Sequence, residues 1–155
     1  MTINQRLKDL NVVLPTSPKN VGSYAPYVVT GNRVFISGQL PMVDGEIQYA
    51  GQINDESVVR GQAAARLCSL NILAQLRDAC GGDLDKVKRC IKLGGFMNCE
   101  PAFTKHPMVI DGASNLMIDV FGDKIGSHAR IAIGVNSLPV GAAVEVEAIF
   151  EIEAQ

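Results

Sequence analysis

Residues 144–153 read VEVEAIFEIE, an alternation of apolar and polar side chains that fits a half-buried β-strand. Val144, Val146, Ala148, Phe150 and Ile152 point one way; Glu145, Glu147, Ile149, Glu151 and Glu153 point the other. A helical period would scatter those glutamates over every face, the buried one included. The chain must therefore build a sheet with one covered side, and other segments must supply the cover. Residues 56–80 read as a long helix, with Val59, Ala63, Leu67, Leu70, Leu73 and Ala74 as its apolar stripe. Arg60, Asn71, Gln75 and Asp78 fall on its opposite side, and Gly81-Gly82 stops it. A second helix is expected over about 110–122.

The remaining segments are β-rich. Residues 2–10 form a short amphipathic helix, followed by a proline-containing connection. Runs at 27–30 and 33–37 flank a Gly-Asn turn, and a further hairpin turns at Asp44-Gly45. A strand over 85–99 carries Gly94-Gly95, a signal of a bulge or a close backbone approach. Strands 130–138 and 143–153 are expected to pair as a closing hairpin through Pro139 and Gly141. The pattern is α+β: one domain over 1–155, with a mixed sheet and two helices packed on one face. If Ile131, Ile133 and Val135 face the helices, then Arg130, Ala132, Gly134 and Asn136 share the other face with the glutamates. Small residues and Ile149 across that face suggest a subunit interface.

Arg130 has no acidic neighbour in sequence, and a guanidinium beside a packed sheet needs an anionic partner. A bound carboxylate would supply one, and so would Glu147 or Glu151 of another subunit. Glu145 can act as a general base, or stand solvated like the other glutamates of its strand. Ser37 has no His–Asp partners in view, which argues against a serine hydrolase. His106 and His128 are the only histidines, and His128 lies two residues from Arg130.

A net charge of −2, with lysines and arginines scattered, argues against nucleic-acid binding. Cys68, Cys80, Cys90 and Cys99 lie at wide spacings with no CxxC, so neither a metal site nor a redox dithiol is expected. The N-terminal segment lacks an apolar run, and no stretch approaches membrane-spanning length. A cytoplasmic protein with reduced thiols is the expectation.

VGSY, VFISGQLP, ACGGDLDKVKRC and above all HARIAIGVNSLPVGAAVEVEAIFEIE resemble the RidA/YjgF family, also labelled the endoribonuclease L-PSP family. The likeness covers roughly residues 20–153. It implies a chorismate-mutase-like fold, a homotrimer with ligand clefts between subunits, and no metal or organic cofactor. It also implies hydrolysis of 2-imino and 2-enamino acids, such as 2-aminoacrylate, to 2-keto acids and ammonia. By the same resemblance, Arg130 matches the arginine that holds the substrate carboxylate, and Glu145 the glutamate that positions the attacking water. Tyr24 matches the tyrosine of the usual Gly-Pro-Tyr, here Gly-Ser-Tyr. Ser37 and Gly38 belong to the family's Ser-Gly-Gln, with the backbone at Gly38 approaching the ligand. Ala132 replaces a cysteine common in the family, and Ser114 and Asn115 compete for the position of its second-helix asparagine. These departures point to a side branch. They keep open a non-catalytic protein that binds a small carboxylate, while the ribonuclease label fits poorly with the acidic charge.

Overall fold

The computed structural model describes residues 1–155. In chain order the elements are α1 (Ile3–Asp9), β1 (Tyr27–Thr30), β2 (Arg33–Gln39), β3 (Met42–Val43) and β4 (Glu46–Ile47). They continue through α2 (Val58–Ala79), β5 (Val87–Asn98), α3 (His106–Gly126), β6 (Ala129–Val135) and β7 (Val144–Ile152). Five strands form one mixed sheet in the order β1-β2-β7-β5-β6, while β3 and β4 make a separate two-stranded hairpin. Asp44 and Gly45 both have positive φ at its turn, as the sequence signal requires.

The alternation of β7 is realised as expected: Val144, Val146, Ala148, Phe150 and Ile152 are buried under the helices. These side chains join α2 and α3 in a contiguous apolar core of 31 residues. Helix α1 docks on α3, with Leu7 in the core and Arg6 Nε donating to the Asp119 carbonyl at 2.6 Å. The second helix begins at His106, earlier than expected, because Pro107 sits in the first turn, where its missing N–H costs nothing. Gly122, at φ 78°, bends the helix near its end.

Three expectations are corrected. Strands β6 and β7 do not form a hairpin: β5 lies between them, paired antiparallel with β7 and parallel with β6. Parallel pairing needs a crossover, and α3 provides it, so β6 becomes an edge strand. The facing of β6 is also inverted. Leu93, buried toward the helices, stands opposite both Ala148 and Arg130, which puts Arg130, Ala132 and Gly134 on the helix side. Ile131 and Ile133 lie on the open side with Glu145 and Glu147, 46% and 39% exposed. Finally, the stripe on α2 is out of phase. Val59 is exposed, whereas Asn71 and Gln75 are buried, because their amides serve carbonyls of neighbouring loops.

Candidate functional site

Pairing of β2 with β7 runs regularly as far as Ile36↔Ala148 and resumes at Gln39↔Val146. Three steps on β2 thus match two on β7, which is a β-bulge at Ser37-Gly38. A cleft of about 410 Å³ opens there, lined by Tyr24, Gly38, Gln39, Asn71, Gln75 and Glu145, with Lys19 and Val140 also in its wall. The volume lies within the ~300–1,000 Å³ typical of small-molecule sites.

Glu145 crosses the bulge directly over Gly38. A Cβ on Gly38 would overlap Glu145 Oε1 and lie 2.9 Å from its carboxyl carbon. Only glycine leaves the carboxylate in place. Glu145 is half-buried and forms no salt bridge. Its pKa is raised above the ordinary glutamate value, first by burial and then by the neighbouring charge of Glu147. A carboxylate held so is a stronger base than one in water.

Ser37 does not line the cleft. Its hydroxyl donates to the Ala25 carbonyl at 2.7 Å, and its N–H donates to the Pro26 carbonyl at 3.0 Å. Ser37 thereby ties down the segment that carries Tyr24. Helix α2 fixes the preceding connection: Gln75 Nε2 donates to the Pro18 carbonyl at 2.8 Å and Arg77 Nη2 to that of Pro15 at 3.0 Å.

Arg130 lies elsewhere, against the N-terminal half of α3. Its Nη1 donates to Asp111 Oδ1 at 2.8 Å and to Ser114 Oγ at 3.0 Å, and its Nη2 to the Pro107 carbonyl at 3.2 Å. The anionic partner that Arg130 needs is thus present in its own chain, on α3, 19 residues earlier in sequence. Ser114, not the exposed Asn115, is the α3 residue beside the guanidinium. His128 completes the cluster, with Nδ1 2.7 Å from the Gly126 carbonyl and Nε2 2.8 Å from Ser114 Oγ. A carbonyl only accepts, so the ring proton sits on Nδ1. In the neutral ring Nε2 then accepts the Ser114 hydroxyl, whose oxygen accepts from Arg130.

Tyr24, Gly38 and Glu145 are therefore brought together, and Arg130 is not. Arg130 and Glu145 stand opposite Leu93 and Phe96 of β5, three residues and two strand spacings apart. At ~3.4 Å per residue and ~4.8 Å per strand, their Cα atoms are about 14 Å apart, on opposite faces of the sheet. Sequence reasoning missed Gln39, Asn71 and Gln75. For the last two, the available signal was a pair of amides spaced i, i+4 within the largely apolar run of residues 67–76.

The cysteines take no visible part. Cys68, Cys80 and Cys90 are buried, and burial pushes the thiols of Cys80 and Cys90 up to about 11 and about 12. Cys99 lies 3.6 Å from His106 Nε2, beside Gly134. No group of three or more His, Cys, Asp or Glu side chains stands close enough to hold a metal ion. No helix is long and apolar enough to cross a membrane.

A family model described as "YjgF/chorismate mutase-like, putative endoribonuclease" matches residues 4–152. Protein TCP17 of Trypanosoma cruzi is 45% identical over 147 residues, 94% of this chain and 91% of that protein. A protein from Dermatophagoides farinae named 2-iminobutanoate/2-iminopropanoate deaminase is 29% identical over 140 residues, covering 90% of this chain and 93% of that protein. Among solved structures, the protein Atu1372 of Agrobacterium tumefaciens, described as of unknown function, superposes with a TM-score of 0.89 at 45% identity. That alignment covers 99% of this chain and 94% of the other.

Proposed function

Because the chain belongs to the YjgF/chorismate mutase-like family, we propose that it hydrolyses reactive 2-imino and 2-enamino acids to 2-keto acids and ammonia. The observation that carries the reading is the Glu145 carboxylate, half-buried in the cleft, without a cation and with its pKa raised. An enamine first tautomerises to the imine, which reacts as its iminium. Glu145 takes a proton from water as the water oxygen bonds to the imine carbon. Glu145 returns its proton to the nitrogen of the resulting carbinolamine, the C–N bond breaks, and ammonia leaves as the hydroxyl proton passes to water and the C=O forms. The substrate is already electrophilic, so positioning and a modest base suffice. The deaminase from Dermatophagoides farinae, similar to most of this chain, supports the same reading.

A three-carbon substrate cannot touch Arg130 and Glu145 of one chain. The site we propose lies between subunits of a homotrimer, where Arg130 of one chain holds the substrate carboxylate and Glu145 of the next activates water. Tyr24 and Gly38 shape the cleft, and Ser37 anchors the segment that bears Tyr24. Support comes from the exposure of Val28, Phe35, Ile131 and Ile133 on the open sheet face, and from the edge position of β6. Arg130 Nε donates to nothing in the chain, so part of the guanidinium is free for a ligand. Ala132, where many members of the family carry a cysteine, favours a second reading, a protein that binds small carboxylates without turnover.

Two measurements decide. With 2-aminoacrylate generated in place by a dehydratase, keto-acid release should exceed the spontaneous rate, and a rate equal to the spontaneous one leaves only the binding reading. Arg130→Ala and Glu145→Ala proteins, each folded and inactive, are then unfolded and refolded together. Random assembly gives about a quarter of sites intact if the two residues come from different chains. Mixed trimers with no regained activity would exclude the shared site.

A further inference from the structure

Three buried side-chain amides line the cleft, and all three donate through their nitrogens to backbone carbonyls. Asn71 is 1% exposed, Gln75 2% and Gln39 7%. Asn71 Nδ2 donates to the Leu40 and Met42 carbonyls, both at 3.0 Å. Gln75 Nε2 donates to the Pro18 carbonyl at 2.8 Å, and Gln39 Nε2 to the Ser37 carbonyl at 3.0 Å. A carbonyl only accepts, so none of the three amides can be turned over without setting oxygen against oxygen. Their nitrogens are committed to the fold, and their oxygens are the polar atoms left over. Asn71 Oδ1 is sealed from solvent without a hydrogen-bond partner, whereas the oxygens of Gln39 and Gln75 accept nothing from the chain and are the acceptors left for a ligand. The Glu145 carboxylate adds two more acceptors to the same cleft. On the donor side the lining side chains offer the Tyr24 hydroxyl and the exposed Lys19 ammonium.

We propose that this acceptor wall makes the cleft selective for carboxylate ligands whose far end carries an N–H donor, such as a carboxamide, a ureido group or an ammonium. The Gln39 and Gln75 oxygens have no donor in the chain, and a ligand N–H supplies one. A ligand ending in a second carboxylate brings acceptors against the Gln39 and Gln75 oxygens and the Glu145 carboxylate, and exposed Lys19 offsets little of its desolvation. The cleft of about 410 Å³ leaves room for such an extension beyond the reacting carbon. The inference rests on the reading that the cleft binds small carboxylates, and it names which of them the protein favours.

Three stable probes of closely similar shape separate donor count from charge: succinamate, monomethyl succinate and succinate. Succinamate and monomethyl succinate carry the same charge and differ in the two N–H donors. Titration of the assembled protein, followed by NMR, should rank succinamate about tenfold tighter than the ester, with succinate weakest. Equal affinity for succinamate and the ester would overturn the acceptor wall while leaving carboxylate binding intact. Binding of none of the three, nor of 2-oxobutyrate, would overturn both this inference and the reading beneath it. Gln75→Met keeps the length of the side chain but removes both its oxygen and the Nε2 that holds the Pro18 carbonyl. With the connection at Pro18 unmoved in a crystal structure of the variant, it should narrow the preference for succinamate over the ester. An unchanged ratio in a folded Gln75→Met protein would remove Gln75 from the wall.

Discussion

The Glu145 cleft and the Arg130 cluster follow opposite electrostatic designs. Glu145 is an anion without a cation, half-buried beside Glu147. Arg130 is a cation already supplied with a carboxylate, a hydroxyl and a carbonyl. The first arrangement stores basicity at a cost in stability, and the second is satisfied in the isolated chain. A residue prepared to act and a residue prepared to wait are thus held on opposite faces of one sheet. Each of the two designs makes predictions of its own.

The largest effect is expected where the unpaired charge lies. Glu145→Gln should lower kcat/KM for imine hydrolysis by about 10²- to 10⁴-fold. It should also raise the Tm at neutral pH. The fold disfavours ionised Glu145, so its contribution to stability is fully present at low pH and lost as pH rises through the raised folded value. Glutamine is neutral and escapes that loss. The acidic limb of the wild-type kcat/KM profile should correspondingly lie above the usual glutamate value of 4.5. Full activity in the glutamine variant would end the role of Glu145 as base, and a lower Tm would contradict the cost assigned to its charge.

Gly38→Ala tests the same half of the comparison through space instead of charge. The added methyl would displace the Glu145 carboxylate from the bulge. A loss of about 10²-fold in kcat/KM is expected, because a base about 1 Å out of place loses most of its advantage. If a crystal structure of the variant shows Glu145 unmoved and activity is retained, the glycine serves the bulge alone.

The two halves were not equally legible in the sequence. Strand β7, with Glu145 on its open face, follows from a period of two that admits one solution. Gly38 and Tyr24 came from the family resemblance, and both line the cleft. The facing of β6 was not legible, because ARIAIGV places small residues on one side and isoleucines on the other, and either side can be covered. Its strand partner depended on a crossover through α3, a long-range choice that local alternation does not encode. The amides of α2 fall opposite its apparent apolar stripe, beside Arg60 and Asp78, so the local pattern does not show them buried. Their burial depends on distant carbonyls: those of Leu40 and Met42, 31 and 29 residues from Asn71, and that of Pro18, 57 residues from Gln75.

Asp111→Asn addresses the satisfied half. Removing the charge leaves a hydrogen-bonding side chain of the same shape, but frees the Arg130 guanidinium from its ion pair. If Asp111 competes with the ligand carboxylate, 2-oxobutyrate should bind up to about tenfold tighter to the variant. The pair is partly exposed, so the accompanying loss of stability should stay within about 1 kcal/mol. Unchanged affinity would mean that Arg130 holds Asp111 for structural reasons and takes no ligand.

The smallest effect is expected at the turn that leads into β7. Val140 adopts φ 51° and ψ 26°, a left-handed conformation that β-branched residues avoid, and its side chain is 66% exposed in the wall of the cleft. Exposure means that packing repays little of the strain, so the side chain is expected to serve the cleft. Val140→Gly removes the clash between Cβ and backbone but gives the unfolded chain more freedom, and the two terms oppose each other. A net gain below about 1 kcal/mol follows, at most about 2–4 °C in Tm for a chain of this size. Ligand affinity should move the other way, with KM rising as the apolar wall is lost and kcat nearly unchanged. A fall in Tm would show that Val140 is held by contacts and carries no net strain. A fall in kcat at constant KM would place it closer to the reacting atoms than a wall residue should be.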